Sequence, residues 1–169
     1  MKKHLDNHNE LFPMVDEQGQ VIGKVTRGEA HGGTKPLHPV VHLHVFDEQG
    51  RLYLQKRPEW KDIQPGKWDT ATGGHVDYGE DIPHALQREV REELGIEEFV
   101  PEFLGRYVFE SERERELVYV HRTVYQGVIS PNGQELEGGR FWTRQELLDH
   151  MGKGVFTPNF EQEYLRFFP

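Results

Sequence analysis

A chain of 169 residues, 35% hydrophobic and 29% charged, is long enough for one domain with a sizeable core under a well-solvated surface. Its formal net charge of −9 opposes binding to nucleic acid or to an anionic membrane; an anionic phosphate substrate would need metal ions and local Lys or Arg to offset the field. There is no cysteine, which excludes a disulfide framework, a thiolate nucleophile and a Cys-type structural zinc site.

The opening MKKHLDNHNE lacks the apolar run of a signal peptide, and no apolar stretch reaches the length of a membrane span. A cytoplasmic protein is the simplest expectation. Residues 1–10 are polar and expected to be a flexible segment; residues 11–169 read as a single domain. From Phe12 to Thr26 two short strands flank the turn residues Asp16 to Gly19. Residues 27–37 are rich in glycine and polar groups and are expected to be loop. Pro39 to Phe46 alternates, with Val41, Leu43 and Val45 on one face and Val40, His42, His44 and Phe46 on the other. His42 and His44 either line a substrate pocket or lie on a sheet face covered by a helix. Arg51 to Arg57 is the next strand, residues 58–67 a proline-bearing loop, and Trp68 to Val76 a strand. Asp81 to Leu94 is helical, with Pro83 tolerated in its first turn. Phe99 to Glu110 and Leu117 to Ile129 read as strands, Ser130 to Gly133 as a turn, and Gly139 to Trp142 as a short extended piece. Thr143 to Met151 and Pro158 to Phe168 read as helices, with Thr143 and Thr157 as N-caps. The mixture predicts one mixed sheet with helices packed on it.

Residues 74–96 read GHVDYGEDIPHALQREVREELGI. Glu89, Glu92 and Glu93 stand at i, i+3 and i+4, which places three carboxylates on one helical face. Like charges at that spacing repel, so the arrangement makes sense under a divalent cation such as Mg²⁺ or Mn²⁺, which prefers carboxylate oxygens and bridges to substrate phosphates. A solvated acidic helix capped by Gly95 is the plainer alternative, but it leaves the other fixed positions unexplained.

The segment resembles the Nudix box. Gly74, Glu80, Arg88, Glu89, Val90, Glu92, Glu93, Gly95 and Ile96 fill its fixed positions, and both gaps have the right length. The resemblance implies a Nudix-type α/β/α sandwich with a mixed sheet, and metal-assisted attack of water on a diphosphate. It implies a small-molecule substrate of the form nucleoside diphosphate linked to another group, or a related organic diphosphate. It further implies that Glu89, Glu92 and Glu93 are metal ligands, joined by the Gly73 carbonyl, with Mg²⁺ or Mn²⁺ as cofactor. One glutamate of this set or of a later loop would be the general base. Arg88 and Glu80 would orient neighbouring carboxylates. Glu135, with Glu137 behind it, is the candidate for a further ligand or base. A homodimer is compatible with the sequence.

Beyond the box, the opening hairpin, the run QKRPEWKDIQPGKWDTATGGH and the ending FTPNF are similar to the isopentenyl-diphosphate isomerase-like branch of the family. Isomerases of that branch hold a metal through three histidines and two glutamates, which implies a second metal set of His31, His38, His75, Glu114 and Glu116. Two departures stand against isomerase chemistry. The isomerase cysteine falls at Gly73, and the complete Arg-Glu-x-x-Glu-Glu set is kept here. The expectation is therefore a hydrolase on an isomerase-like scaffold, with the isomerase and a non-catalytic nucleotide-binding module as alternatives. Lys56, Arg57, Lys61 and Lys67 are candidates to meet phosphates. Trp60, Trp68, Phe109 and Tyr119 are candidates to stack on a base or, as for most such residues, to be core.

Overall fold

The computed structural model describes residues 10–61, 64–131 and 138–169. Nine strands and four helices follow one another along the described residues: β1 (Leu11–Val15), β2 (Val21–Thr26), α1 (Arg27–Ala30), β3 (Leu37–Phe46), β4 (Leu52–Lys56), β5 (Trp68–Thr70), β6 (Thr72–His75), α2 (Ile82–Leu94), β7 (Glu102–Glu110), β8 (Arg115–Val124), β9 (Gly139–Trp142), α3 (Arg144–His150) and α4 (Pro158–Phe167). β1 and β2 form an antiparallel hairpin; the remaining strands form one sheet ordered β5-β4-β3-β8-β7, with β6 beside β3 and β9 beside β4. β3 and β8 run parallel and the other pairs antiparallel, so the sheet is mixed as expected.

The alternation in β3 decides the layers. Val41, Leu43 and Val45 pack against Ala85, Leu86, Val90 and Leu94 of α2. On the opposite face, Phe46 of β3 and Leu52 and Leu54 of β4 pack against Leu147 of α3 and Phe160 and Tyr164 of α4. Each of these large apolar side chains contributes roughly 1.5–3 kcal/mol on leaving water. Helices cover both faces, which gives the α/β/α sandwich.

α2 is fixed at both ends. The Asp81 side chain accepts the His84 backbone N–H, Pro83 sits in the first turn, and Gly95 closes the helix in a left-handed conformation at φ 69°. Thr143 and Thr157 cap α3 and α4.

Two expectations need correction. Residues 27–30 are not loop but the short helix α1. A reciprocal capping box starts it, with Thr26 and Glu29 exchanging side-chain and backbone hydrogen bonds. The strand expected from Trp68 to Val76 is two strands. β5 pairs with β4 and β6 pairs with β3, so the chain changes partner at Ala71. The flexible segment expected at 1–10 lies, except for Glu10, outside the described residues, as do Glu135 and Glu137; Glu10 itself is bonded to Arg27 at 3.1 Å.

Candidate active site

Sheet register brings distant polar residues together. The parallel β3/β8 pairing sets His38 opposite Glu116, and the β3/β6 pairing sets His42 opposite Gly73 and Val40 opposite His75. The end of β6 then leads into α2, so the carboxylates of that helix approach the same region.

On α2, Glu89 and Glu93 are buried while Glu92 is partly exposed. Arg88 organises this surface. Its Nε and Nη2 donate to the two carboxylate oxygens of Glu80, both at 2.8 Å. Nη1 donates to Glu89 at 2.9 Å, Nη2 donates to the His75 carbonyl at 3.0 Å, and Glu92 and Asp77 lie at 3.6 and 3.5 Å. The fork ties α2 to the preceding loop. Gly74 has a steric reason: a Cβ there would run into the Glu89 side chain. Asp77 is pushed up to about 6, by burial first and by the charge of Glu80 among others, against the pull of Arg88.

A second cluster lies beneath the hairpin. One ligand atom each from His31, His38, His75 and Glu114 falls within 4.8 Å of the others. His31 Nε2 and His38 Nε2 lie 3.0 and 3.6 Å from Glu114 Oε1. Yet these nitrogens, His75 Nε2 and Glu114 Oε1 are all buried without a well-aligned hydrogen bond. Four converging lone-pair donors of this kind fit a divalent cation, and an imidazole-rich set suits Mn²⁺, Zn²⁺ or Fe²⁺. Orientation supports the same use. His38 Nδ1 is 3.0 Å from the Pro36 carbonyl, so Nδ1–H donates there and Nε2 is the nitrogen aimed at the cluster; burial lowers this imidazole but Glu114 raises it above the ordinary value, so a cation at Nε2 would take the place of that proton. Burial, with Arg27 and the neighbouring histidines, holds His75 well below its ordinary value, which keeps it neutral. Burial would raise Glu114, but His31 and His38 outweigh it and hold that carboxyl low. Phe12, fully buried, stacks on His75 with ring centres 4.5 Å apart and planes within 2°.

Glu116 is not within the tight group but lines the same cleft, and burial followed by the Glu114 charge pushes it up to about 7. That cleft, of about 230 Å³, is lined by the acidic Glu93, Glu114, Glu116 and Asp69 and by the basic Arg57 and Lys61, with Arg57 3.7 Å from Asp69; Gly73 and His42 also line it. The carboxylates of α2 and the His/Glu cluster therefore serve one cavity through Glu93 and Glu114. Of the other expected phosphate contacts, Lys56 and Lys67 are not part of this lining. Trp68 packs against Trp142, Phe109 packs with Val40 and Val118, Tyr119 lies against core clusters, and Trp60 is exposed with Lys61 over its ring.

Sequence reasoning missed a third cluster. Glu163 of α4, essentially buried, accepts from His42 Nδ1 at 2.9 Å, from His44 Nε2 at 2.6 Å and from the Tyr107 hydroxyl at 2.5 Å. His44 is the covered residue of the β3 pair and His42 the one that reaches the cleft. The available signal was a glutamate one residue from Tyr164, on the apolar face of an otherwise amphipathic helix.

Comparison with known proteins agrees with this fold. The NUDIX domain model matches residues 36–160. An uncharacterized Nudix hydrolase of Streptomyces coelicolor is 30% identical over 167 residues, 96% of this chain and 90% of the relative. An isopentenyl-diphosphate Delta-isomerase of Clavibacter michiganensis is 32% identical over 150 residues, 85% of this chain and 77% of the relative. The crystal structure of DR0079 from Deinococcus radiodurans is similar in fold, with a TM-score of 0.80 at 23% identity, covering 95% of this chain and all of that one. With the family model spanning the sheet, α2 and the start of α4, and a relative aligned along nearly the whole length, the chain belongs to the Nudix family.

Proposed function

We propose that the chain is a divalent-metal-dependent diphosphohydrolase acting on a small organic diphosphate, with a nucleoside diphosphate linked to a second group as the leading class. The observation that carries this reading is the shared cleft of about 230 Å³, whose lining combines Glu93, Glu114 and Asp69 with Arg57 and Lys61. Carboxylates and cations in one lining suit a polyphosphate held together with metal. Glu89, Glu92 and Glu93, with the Gly73 carbonyl, would hold Mg²⁺ or Mn²⁺, and His31, His38, His75 and Glu114 would hold a second ion. When bound, such ions neutralise phosphoryl oxygens and lower the pKa of a bound water. Arg57 and Lys61 bind and orient the anionic substrate. Arg88 keeps the α2 carboxylates in place through Glu80 and the His75 carbonyl. A glutamate of α2, or Glu135, accepts the proton of the attacking water.

A second reading is favoured by one observation. The His31, His38, His75 and Glu114 group matches the ligand types implied by the isomerase-like branch, and isopentenyl-diphosphate isomerases are among the relatives. Against it stand Gly73 at the cysteine position and the absence of any cysteine from the chain. One pair of assays separates the two. Phosphorus NMR in H₂¹⁸O reads hydrolysis of a diphosphate panel as an isotope-shifted phosphate product. Deuterium uptake by isopentenyl diphosphate in D₂O reads isomerisation. Labelled phosphate without deuterium uptake is the expected result; deuterium uptake without hydrolysis would replace the hydrolase by the isomerase.

A further inference from the structure

Glu163 has no place in the chemistry above, yet its surroundings bear on the cleft. Its carboxylate takes three donors in a nearly solvent-free position between α4, β3 and β7. A buried negative charge of this kind needs a positive partner. Two imidazoles compete for that role, and their second nitrogens differ. His44 is fully buried and its Nδ1 has no partner, so a second proton there would strand a buried N–H. His42 is 18% exposed and lines the cleft, with its Nε2 beside Gly73. The compensating charge therefore belongs on His42, with Nδ1–H committed to Glu163 and Nε2–H open to the cavity.

Gly73 completes the arrangement. A Cβ at that position would come within 3.2 and 3.3 Å of His42 Cδ2 and Nε2. The missing side chain is what leaves the Nε2 edge of the ring uncovered.

On the reading of the cleft as a diphosphate site, we infer that His42 is a further substrate-binding residue: its Nε2–H donates to an anionic oxygen of the substrate, while Glu163 fixes the ring from behind. Glu163 is then a positioning residue that acts only through His42. The cation set of the cleft becomes Arg57, Lys61 and His42, and the C-terminal helix becomes part of the binding apparatus.

The probe is methylenediphosphonate, a diphosphate that water does not cleave, titrated with Mg²⁺ present throughout. Histidine-¹⁵N-labelled wild-type protein gives the first readout, and the His42 ring signals should shift on addition of probe. Calorimetry gives the second. His42→Gln should weaken binding by roughly tenfold or more, as expected for losing one charged hydrogen bond. Tyr107→Phe, which removes a donor from the Glu163 oxygen that His42 also uses, should weaken binding by less than His42→Gln does. Unmoved His42 signals at saturation, unchanged binding by His42→Gln, or no binding of the probe to wild type would each overturn the inference. A parallel hydrolysis assay keeps the two readings apart. Hydrolysis with an unmoved His42 removes this inference alone; a shifted His42 without any hydrolysis removes the hydrolase reading and leaves the anion contact standing.

Discussion

At the scale of single residues, four carboxylate neighbours of one arginine and one glycine without room for a Cβ explain why the α2 surface has its composition. Arg88 holds Glu80 by both oxygens and Glu89 by one, so Arg88→Ala frees several acidic groups at once. Diphosphate hydrolysis in that variant should fall by about ten- to a hundredfold, as for loss of a group that orients metal ligands, with a matching rise in the Mn²⁺ concentration giving half-maximal rate. An unchanged metal dependence would separate Arg88 from the ligands. Gly74→Ala should lower both activity and melting temperature, because the added methyl displaces the buried Glu89 side chain. Phe12 makes the analogous prediction for the histidine cluster. Phe12→Ala leaves a cavity against His75 and His38 and should cost about 3–5 kcal/mol in urea unfolding. It should also weaken Co²⁺ binding, read by its visible absorption. Retained stability would mean that the hairpin does not secure the cluster.

At the scale of elements, α4 both covers the sheet and supplies the carboxylate behind His42. Burial alone would raise the Glu163 carboxyl, but His42, His44 and their hydrogen bonds outweigh it and hold it far below the ordinary 4.5. Because the folded value is depressed, the stability it supplies is present above about pH 4.5 and is lost as the pH falls toward the folded value. Glu163→Gln should therefore melt well below wild type at pH 6, by a margin corresponding to roughly 3–5 kcal/mol. The gap should narrow as both proteins are taken toward pH 3; a gap independent of pH would contradict the assignment of charge to Glu163. What the sequence made legible follows the range of the interactions. α2 was readable because its caps, its apolar face and its glutamates all repeat within 14 residues of Asp81. The break at Ala71 was not, because β5 and β6 differ only in which distant strand they pair with. α1 was hidden among glycines, although the Thr26 and Glu29 spacing was its signal. Glu163 had no local meaning at all, since its partner His42 lies 121 residues away.

At the scale of the whole molecule, an acidic protein is expected to act on an acidic substrate. The net charge of −9 repels a diphosphate until it reaches the cations of the cleft. Raising the ionic strength from about 0.01 to 0.15 M shortens the screening length from about 30 to 8 Å, so kcat/KM should rise over that range. A steep fall instead would show that the local cations, not the global charge, dominate capture. The fold itself has helices on both faces of a mixed sheet, and among the described residues no helix is long and apolar enough to cross a membrane. The histidine set was legible from its resemblance, but the convergence of its ligand atoms with Glu93 on one cleft came only from the sheet register. The most direct test of metal-dependent hydrolysis at this site is phosphate or monophosphate release across nucleoside di- and triphosphates, nucleotide sugars, dinucleotides and isoprenoid diphosphates. It is run with Mg²⁺ or Mn²⁺ for wild type, Glu92→Gln and Glu93→Gln. Turnover of at least one class by wild type, lost by about a hundredfold or more in both variants, is the expected result. Equal turnover in the variants, or none by a wild-type protein that still binds the metal, would contradict it.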